Sequence, residues 1–394
     1  MTNTQVLSDD YQRSGTDLEE LRTVLKEMDA MTSLKTTSTL DIELLSYDKS
    51  RGIVDGQTPF RVFHPYEGER ASVGMSLDGP GKEKIAPLVR ETRTNRLLLR
   101  VGSKVYFTAA GLMYTMSKRA GIGGANIGRP SGRRDAYIAE LFGVDEKDVR
   151  MLVRKTGGAR KVYAMHSDRY TRAPQTTLID IIEKIEHGLG KPVCRNWDVT
   201  HIRSYVQLDF PERAKDFARV YGISDHIVPG LRLVTSDVGE SSVYAVGTWR
   251  IGKGIAYCDE YSRKHVGKFD PEYILKQIDK QIFAKFESIP KTLAELSLIN
   301  IKDPAGALFS VLQQIKLEAE VGKRRLQEIT NLLSAQFNPA LKYTAYDIAK
   351  NIMALPACLR GLPPTVLKAV ESIVINAVFA DYKEYETELV LGVA

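Results

Sequence analysis

The sequence predicts an α+β fold, with a β-rich mixed central domain, a helical C-terminal bundle and an N-terminal amphipathic helix. Three observations carry this. Short runs of β-branched and aromatic residues, separated by glycine-containing turns, fill residues 40–257 and enclose an amphipathic helical pattern. Beyond Gly267 the apolar residues recur at helical spacing behind Asp-Pro starts. At 394 residues and 43% hydrophobic, the chain has length for two or three domains and ample buried core. The expected division is 1–39 as helix and linker, 40–267 as the β-rich α+β core domain and 268–394 as the helical region.

In residues 17–31, Leu18, Leu21, Leu25 and Met28 alternate in spacings of three and four, which draws one apolar stripe along a helix. Such a stripe packs on its own domain or forms a short self-association seam; a coiled coil needs more heptads. The Ser/Thr-rich stretch from Thr32 to Thr39 reads as a linker. RLLLRV, Gly102-Ser103 and KVYFT read as a hairpin. Further strands are expected at 161–167, 201–210, 231–236, 242–249 and 253–258, the last two joined through Arg250, Ile251 and Gly252 as a second hairpin. TLIDIIEKIEHGL is the helix among them, and mixed strand order with a single helix favours α+β over a doubly wound sheet. In the helical region, Asp270-Pro271 and Asp303-Pro304 each supply an N-cap followed by proline at the first helical position. Ile274, Ile278, Ile282 and Phe286 recur every four residues, and one long amphipathic stretch runs from Asp303 through Leu312, Ile315 and Leu326 to Leu333. Thr344 with Asp347 resembles a capping box, and the final helix, from near Thr365, carries Val366, Val370, Ile373 and Ala377 on one face.

Charge is segregated. Eighteen basic and seven acidic side chains lie between Arg90 and Arg172, a net +11 in a chain whose total is +6, so the remainder is acidic. That field collects a polyanion, or meets the acidic remainder of a neighbouring copy. The opening residues MTNTQVLSDD lack the basic start and apolar run of a secretory signal, and no apolar segment approaches the roughly 18 residues of a membrane span. The expectation is a soluble, cytoplasmic protein without a membrane partner. Cys194, Cys258 and Cys358 are far apart and outside C-x-x-C spacing, which argues against a disulfide framework or thiolate zinc site and reads as reduced, buried thiols.

The strongest local candidate is KRAGIGGANIGRPSGRR, where glycines are bracketed by Lys118, Arg119, Arg129, Arg133 and Arg134. Glycine admits a phosphate close to the backbone, and arginine offers forked donors to its oxygens. No Gly-Lys-Ser/Thr makes this a Walker loop, and no acidic ribose ligand makes it a dinucleotide fingerprint. A solvated surface loop is the rival reading. Tyr106, Phe107, Tyr114, Tyr137, Phe142, Tyr163 and Tyr170 are interleaved with the charge, the combination single-strand binders use, since unpaired bases stack on exposed rings. Most of these rings read as core; Tyr170, beside Arg169 and Arg172 just past a strand end, is the one expected at the surface. Arg154, Lys155, Arg160 and Lys161 complete the candidate nucleic-acid-binding set.

No constellation fixes a catalytic residue or a cofactor. His64, His166, His187, His201, His226 and His265 show no i, i+4 pair and no H-E-x-x-H. Asp209, Asp237, Glu240, Asp259 and Glu260 fall near strand ends, followed by Lys264, and a nuclease would need two or three of them to converge on magnesium. Whether Asp237, Asp259 and Glu260 do so is open at this point. A G-x-S-x-G elbow is absent.

Three stretches resemble the phage/plasmid-like protein family catalogued as a domain of unknown function. RKVYAMHSDRY looks like its strand ending in Ser-Asp-Arg-Tyr, here Ser167, Asp168, Arg169 and Tyr170, followed by a helix. GLRLVTSDVGESSV is similar to its Asn-Ser-Glu-Val-Gly segment, with Thr235 and Asp237 as substitutes; Cys258 and Arg263-Lys264-His265-Val266-Gly267 follow. Asp259 and Glu260 stand where the family has asparagine and glycine. The resemblance covers roughly residues 90–290 and implies a mobile-element origin without an activity. Together with the charge it points to a nucleic-acid-binding protein, for single-stranded DNA binding or annealing in recombination or replication, as a homo-oligomer. The alternative is a self-assembling or host-interacting phage protein without nucleic acid.

Overall fold

The computed structural model describes residues 5–77, 85–122, 130–224, 226–238, 243–263, 270–359 and 362–385. Strand β1 (Gln12–Gly15) and helix α1 (Leu18–Met31) lead the chain. An eight-stranded sheet follows, built from β2 (Thr32–Ser38), β3 (Ile42–Tyr47), β4 (Thr58–His64), β5 (Gly68–Met75), β6 (Leu97–Val101), β7 (Lys104–Thr108), β8 (Asp148–Thr156) and β9 (Ala159–Ser167). Its order is β2-β8-β9-β7-β6-β3-β4-β5, antiparallel except between β7 and β9. Helices α2 (Ala86–Asn95), α3 (Leu112–Arg119) and α4 (Gly132–Val144) cover it.

Next come α5 (Thr177–Leu189), β10 (Val193–Thr200), β11 (Ser204–Asp209), α6 (Pro211–Tyr221), β12 (Ile227–Thr235), β13 (Val243–Ile251) and β14 (Gly254–Arg263). With β1 these strands form a six-stranded antiparallel sheet in the order β1-β10-β11-β12-β13-β14. The chain then turns helical in α7 (Pro271–Gln281), α8 (Ser288–Leu296), α9 (Pro304–Gln314), α10 (Leu317–Val321), α11 (Lys323–Ser334), α12 (Ala345–Met353) and α13 (Pro364–Ile373). The α+β class stands.

Local signals set many of these elements. Gly102 and Gly252, both at φ 58, turn the β6–β7 and β13–β14 hairpins, a backbone region that favours glycine. The second hairpin is longer than its pattern suggested: Ile251 pairs with Gly254, so the turn is Gly252-Lys253. The Asp270 and Asp303 carboxylates cap α7 and α9, and Thr344 with Asp347 closes a capping box on α12.

Two expectations need correction. Thr32–Ser38 is not a linker but the edge strand β2, paired along β8 from Thr32↔Arg154 to Ser38↔Asp148; β-branched threonines suit extended backbone, and a sheet edge accepts polar side chains. The stretch from Asp303 to Leu333 is not one helix, because Lys316 (φ 59) and Gly322 (φ 81) adopt left-handed backbone and divide it into α9, α10 and α11.

Packing runs across residue 267. One core joins α1, α5, the apolar face of the six-stranded sheet and the C-terminal helices, with Leu25, Ile182, Trp197, Trp249, Ile278 and Ile352 all in it. The helical region and this sheet therefore fold onto each other. The eight-stranded sheet has its own layers: α3 and α4 cover one face through Met116, Ile138 and Phe142, and α2 covers part of the other through Val89. Gly143 lets α4 approach the β4–β5 turn, since a Cβ there would lie 2.1 Å from the Pro65 carbonyl oxygen.

Candidate nucleic-acid interface

The basic segment divides between the interior and the surface. Arg154, on β8, is fully buried between the two sheets: its Nε donates to Thr32 Oγ1 (3.2 Å), its Nη1 meets His201 Nδ1 (2.6 Å) and its Nη2 donates to Asp237 Oδ1 (2.9 Å). Its guanidinium also lies 4.5 Å from the Tyr163 ring centre. Arg172 reaches the same acid, with Nε 3.6 Å from Asp237 Oδ2, and pairs with Asp29. Burial first, then Arg154 and Lys161, hold the His201 imidazole well below its ordinary pKa, so this network carries a neutral histidine.

Lys161, also fully buried, donates to Leu7 O (2.9 Å) and pairs with Asp9 Oδ1 (2.7 Å) and Glu91. Arg134 is buried against Asp135, whose carboxyl is pushed up by desolvation. Tyr170 is only 7% exposed, stacked on His166 at 3.6 Å and donating its hydroxyl to Asp237 O (2.7 Å).

These positions correct the candidate set. Arg134, Arg154, Lys161, Arg172 and Tyr170 are engaged within the protein, because a buried charge or hydroxyl requires a partner: Arg134 finds its neighbour Asp135, and the other four find partners far along the chain. Lys118, Arg133, Lys155 and Arg169 are exposed, and Arg119 and Arg160 are half-buried. These six do not share one groove. Lys155 and Arg160 face each other at the closed end of the β8–β9 hairpin, whereas Arg169 lies beyond its open end, about 20 Å or more away at 3.3 Å per residue. Arg129 and most of the glycine-rich stretch lie outside the described residues, as do Glu240 and residues 264–269.

Other exposed groups stand on the outer surfaces of α3, which packs over β9, and α4, which packs over β3 and β4. Tyr114 is 59% and Tyr137 51% exposed, reversing the expectation that Tyr170 is the surface ring. Lys118 stands one turn after Tyr114 with its ammonium 4.1 Å from the ring centre, and exposed Arg133 stands one turn before Tyr137. Both helices sit on the same sheet face, held by the same core. Beside Arg133, a cleft of 340 Å³ between β4, β5 and α4 is lined by Arg61, Tyr66, Glu69 and Glu140, with Tyr66 70% exposed. Tyr114 and Tyr137 each stand four residues from a cation, Lys118 and Arg133, a helical spacing legible in the sequence.

The acidic candidates are dispersed. Asp237 is held by Arg154, Asp209 by Arg195 and Arg250, Asp259 by Lys285, and Glu260 accepts from Tyr244. Among the described residues, no group of three histidine, cysteine or acidic side chains is placed to hold a metal ion. Cys194 and Cys258 are half-buried, with burial pushing their thiols up to about 11 and about 12; Cys358 is exposed, not buried as expected. Among the described residues no helix is long and apolar enough to cross a membrane. No family model matches this chain, and no curated protein or solved structure does.

Proposed function

We propose that this protein binds single-stranded nucleic acid, DNA first, without reading its sequence, through the outer surface of α3 and α4. The observation that carries the reading is exposed Tyr114 with the Lys118 ammonium over its ring, together with exposed Tyr137 one helical turn from exposed Arg133, on two helices that share one sheet face. Exposed rings stack bases of any identity, and adjacent cations hold the phosphates between them. Capture of this kind leaves bases available for pairing, which fits annealing. The family resemblance supplies the setting, replication or recombination of a mobile element.

Fluorescence anisotropy with a labelled dT20 strand tests this. Each stacked ring is worth about 1–3 kcal/mol, so Tyr114→Ala with Tyr137→Ala should weaken binding about thirtyfold or more. Lys118→Gln with Arg133→Gln should flatten the salt dependence by about 0.7 per lost phosphate contact. Binding that survives both pairs unchanged refutes the assignment of this surface.

A further inference from the structure

The six-stranded sheet has one face in the main core; the other, which also carries buried Val228 and Val246 and is approached by α13 through Lys368 and Glu371, holds a polar arrangement the charge map did not reveal. Gln207 and Asp209 of β11 and Thr248 of β13 are each at most 2% exposed and form its floor. Gln207 Nε2 donates to Thr248 Oγ1 (2.9 Å), and Gln207 Oε1 accepts from Arg232 Nε (3.0 Å). Asp209 Oδ2 accepts from both Arg195 Nε (2.5 Å) and Arg250 Nε (2.7 Å). Gly230 leaves room for this meeting, because a Cβ there would lie 2.6 Å from Thr248 Oγ1 and 3.2 Å from Asp209 Oδ1.

All three arginines are thus anchored through Nε. Among the described residues, the Nη groups of Arg195 and Arg232 have no acceptor, and Arg250 offers Nη1 only to Gly252 O at 3.4 Å. A guanidinium fixed by Nε and open at its Nη edge is prepared to take an oxyanion with two parallel donors. Arg232 is further held between Tyr205 and Tyr257, 5.3 and 4.6 Å from their ring centres. Arg195, Arg232, Arg250 and Lys368 stand against the two carboxyls Asp209 and Glu371, which leaves the face net positive. The heads of Arg195 and Arg250 converge on Asp209, while Arg232 stands on Gln207, two residues and about 7 Å along β11. Two cationic points in line suit successive phosphates of one chain better than a single small anion.

We infer that this polar face is a second contact surface for single-stranded nucleic acid, with phosphates seated on the Nη edges of Arg195, Arg232 and Arg250. The inference rests on the single-strand reading above and extends it to a surface outside the basic segment. Its test is dT20 anisotropy with Arg195→Gln/Arg232→Gln, which leaves Asp209 paired with Arg250, made in the wild-type chain and in the Tyr114→Ala/Tyr137→Ala chain. Arg195→Lys/Arg232→Lys serves as the second variant, keeping the charge while losing the fork. The expected result is a tenfold or greater loss of affinity for the Gln pair, a salt slope flatter by about 1.4, an intermediate loss for the Lys pair, and disappearance of the binding left by the tyrosine variant. Unchanged affinity and slope in either folded arginine variant overturns the inference while leaving the α3–α4 reading intact. Full loss with the arginines and none with the tyrosines retains this face and removes the other. Unchanged oligonucleotide binding with an altered mass by light scattering makes the face a protein interface, which also overturns the inference.

Discussion

Arg154→Met should cost stability and leave nucleic-acid affinity alone. The wild-type guanidinium is fully buried and serves Thr32 Oγ1, both Nδ1 and the carbonyl oxygen of His201, and Asp237 Oδ1. Methionine keeps much of the volume but removes the cation, leaving Asp237 buried with Arg172 Nε 3.6 Å away as its remaining charge partner. Breaking a buried pair on one side costs about 3–5 kcal/mol, and the surviving arginine places this case near the lower end, about 3 kcal/mol. Urea unfolding followed by circular dichroism at pH 7.5 measures the loss, and dT20 anisotropy at protein concentrations where the variant is folded measures affinity. A loss below about 1 kcal/mol refutes the network argument, since that is the range of exposed pairs. A tenfold weaker affinity in a folded variant would refute the assignment of Arg154 to the interior.

Other perturbations probe neighbouring parts of the fold. His201 is held neutral by burial, Arg154 and Lys161, so as pH falls below the ordinary imidazole value the unfolded chain gains a proton that the folded chain does not, and stability declines. Protonation of the unfolded imidazole sets a limit of about 1.3 kcal/mol on this loss between pH 7 and 5.5, and His201→Gln should show a smaller decline than wild type over the same interval by urea unfolding; parallel profiles contradict it. Gly143→Ala should destabilise by about 1–3 kcal/mol despite alanine's better helix propensity, because its Cβ would meet the Pro65 carbonyl oxygen; a raised melting temperature would show that the β4–β5 turn yields.

What could be read along the chain was local. The Gly102 turn and the Asp-Pro helix starts are decided within a few residues and formed as their patterns indicated; of the Ile274–Phe286 repeat, Ile274 and Ile278 lie on α7, whereas Ile282 and Phe286 fall beyond its end at Gln281 and still enter the core. The edge strand β2 was misread because its partner, β8, lies more than a hundred residues away and its Ser/Thr composition also suits a linker. The same distance hid the fate of the cations. Lys161 finds Asp9, Arg172 finds Asp29 and Arg154 finds Asp237, none of them a sequence neighbour, so a count of charge between Arg90 and Arg172 could not separate structural from available arginines. Tyr170 went inward for the same reason, through a hydroxyl bond to the Asp237 carbonyl. Arg195, Arg232 and Arg250 escaped notice because they lie outside the basic segment and become a cluster only when β10, β12 and β13 bring them over Gln207 and Asp209.

Ultraviolet cross-linking of the whole protein to dT20, followed by peptide mapping, tests the central claim most directly. The account predicts adducts on the peptides that carry Tyr114 and Tyr137, lost as salt rises. Adducts confined to the Tyr170 peptide, or a protein that captures no strand even at low salt, would contradict it.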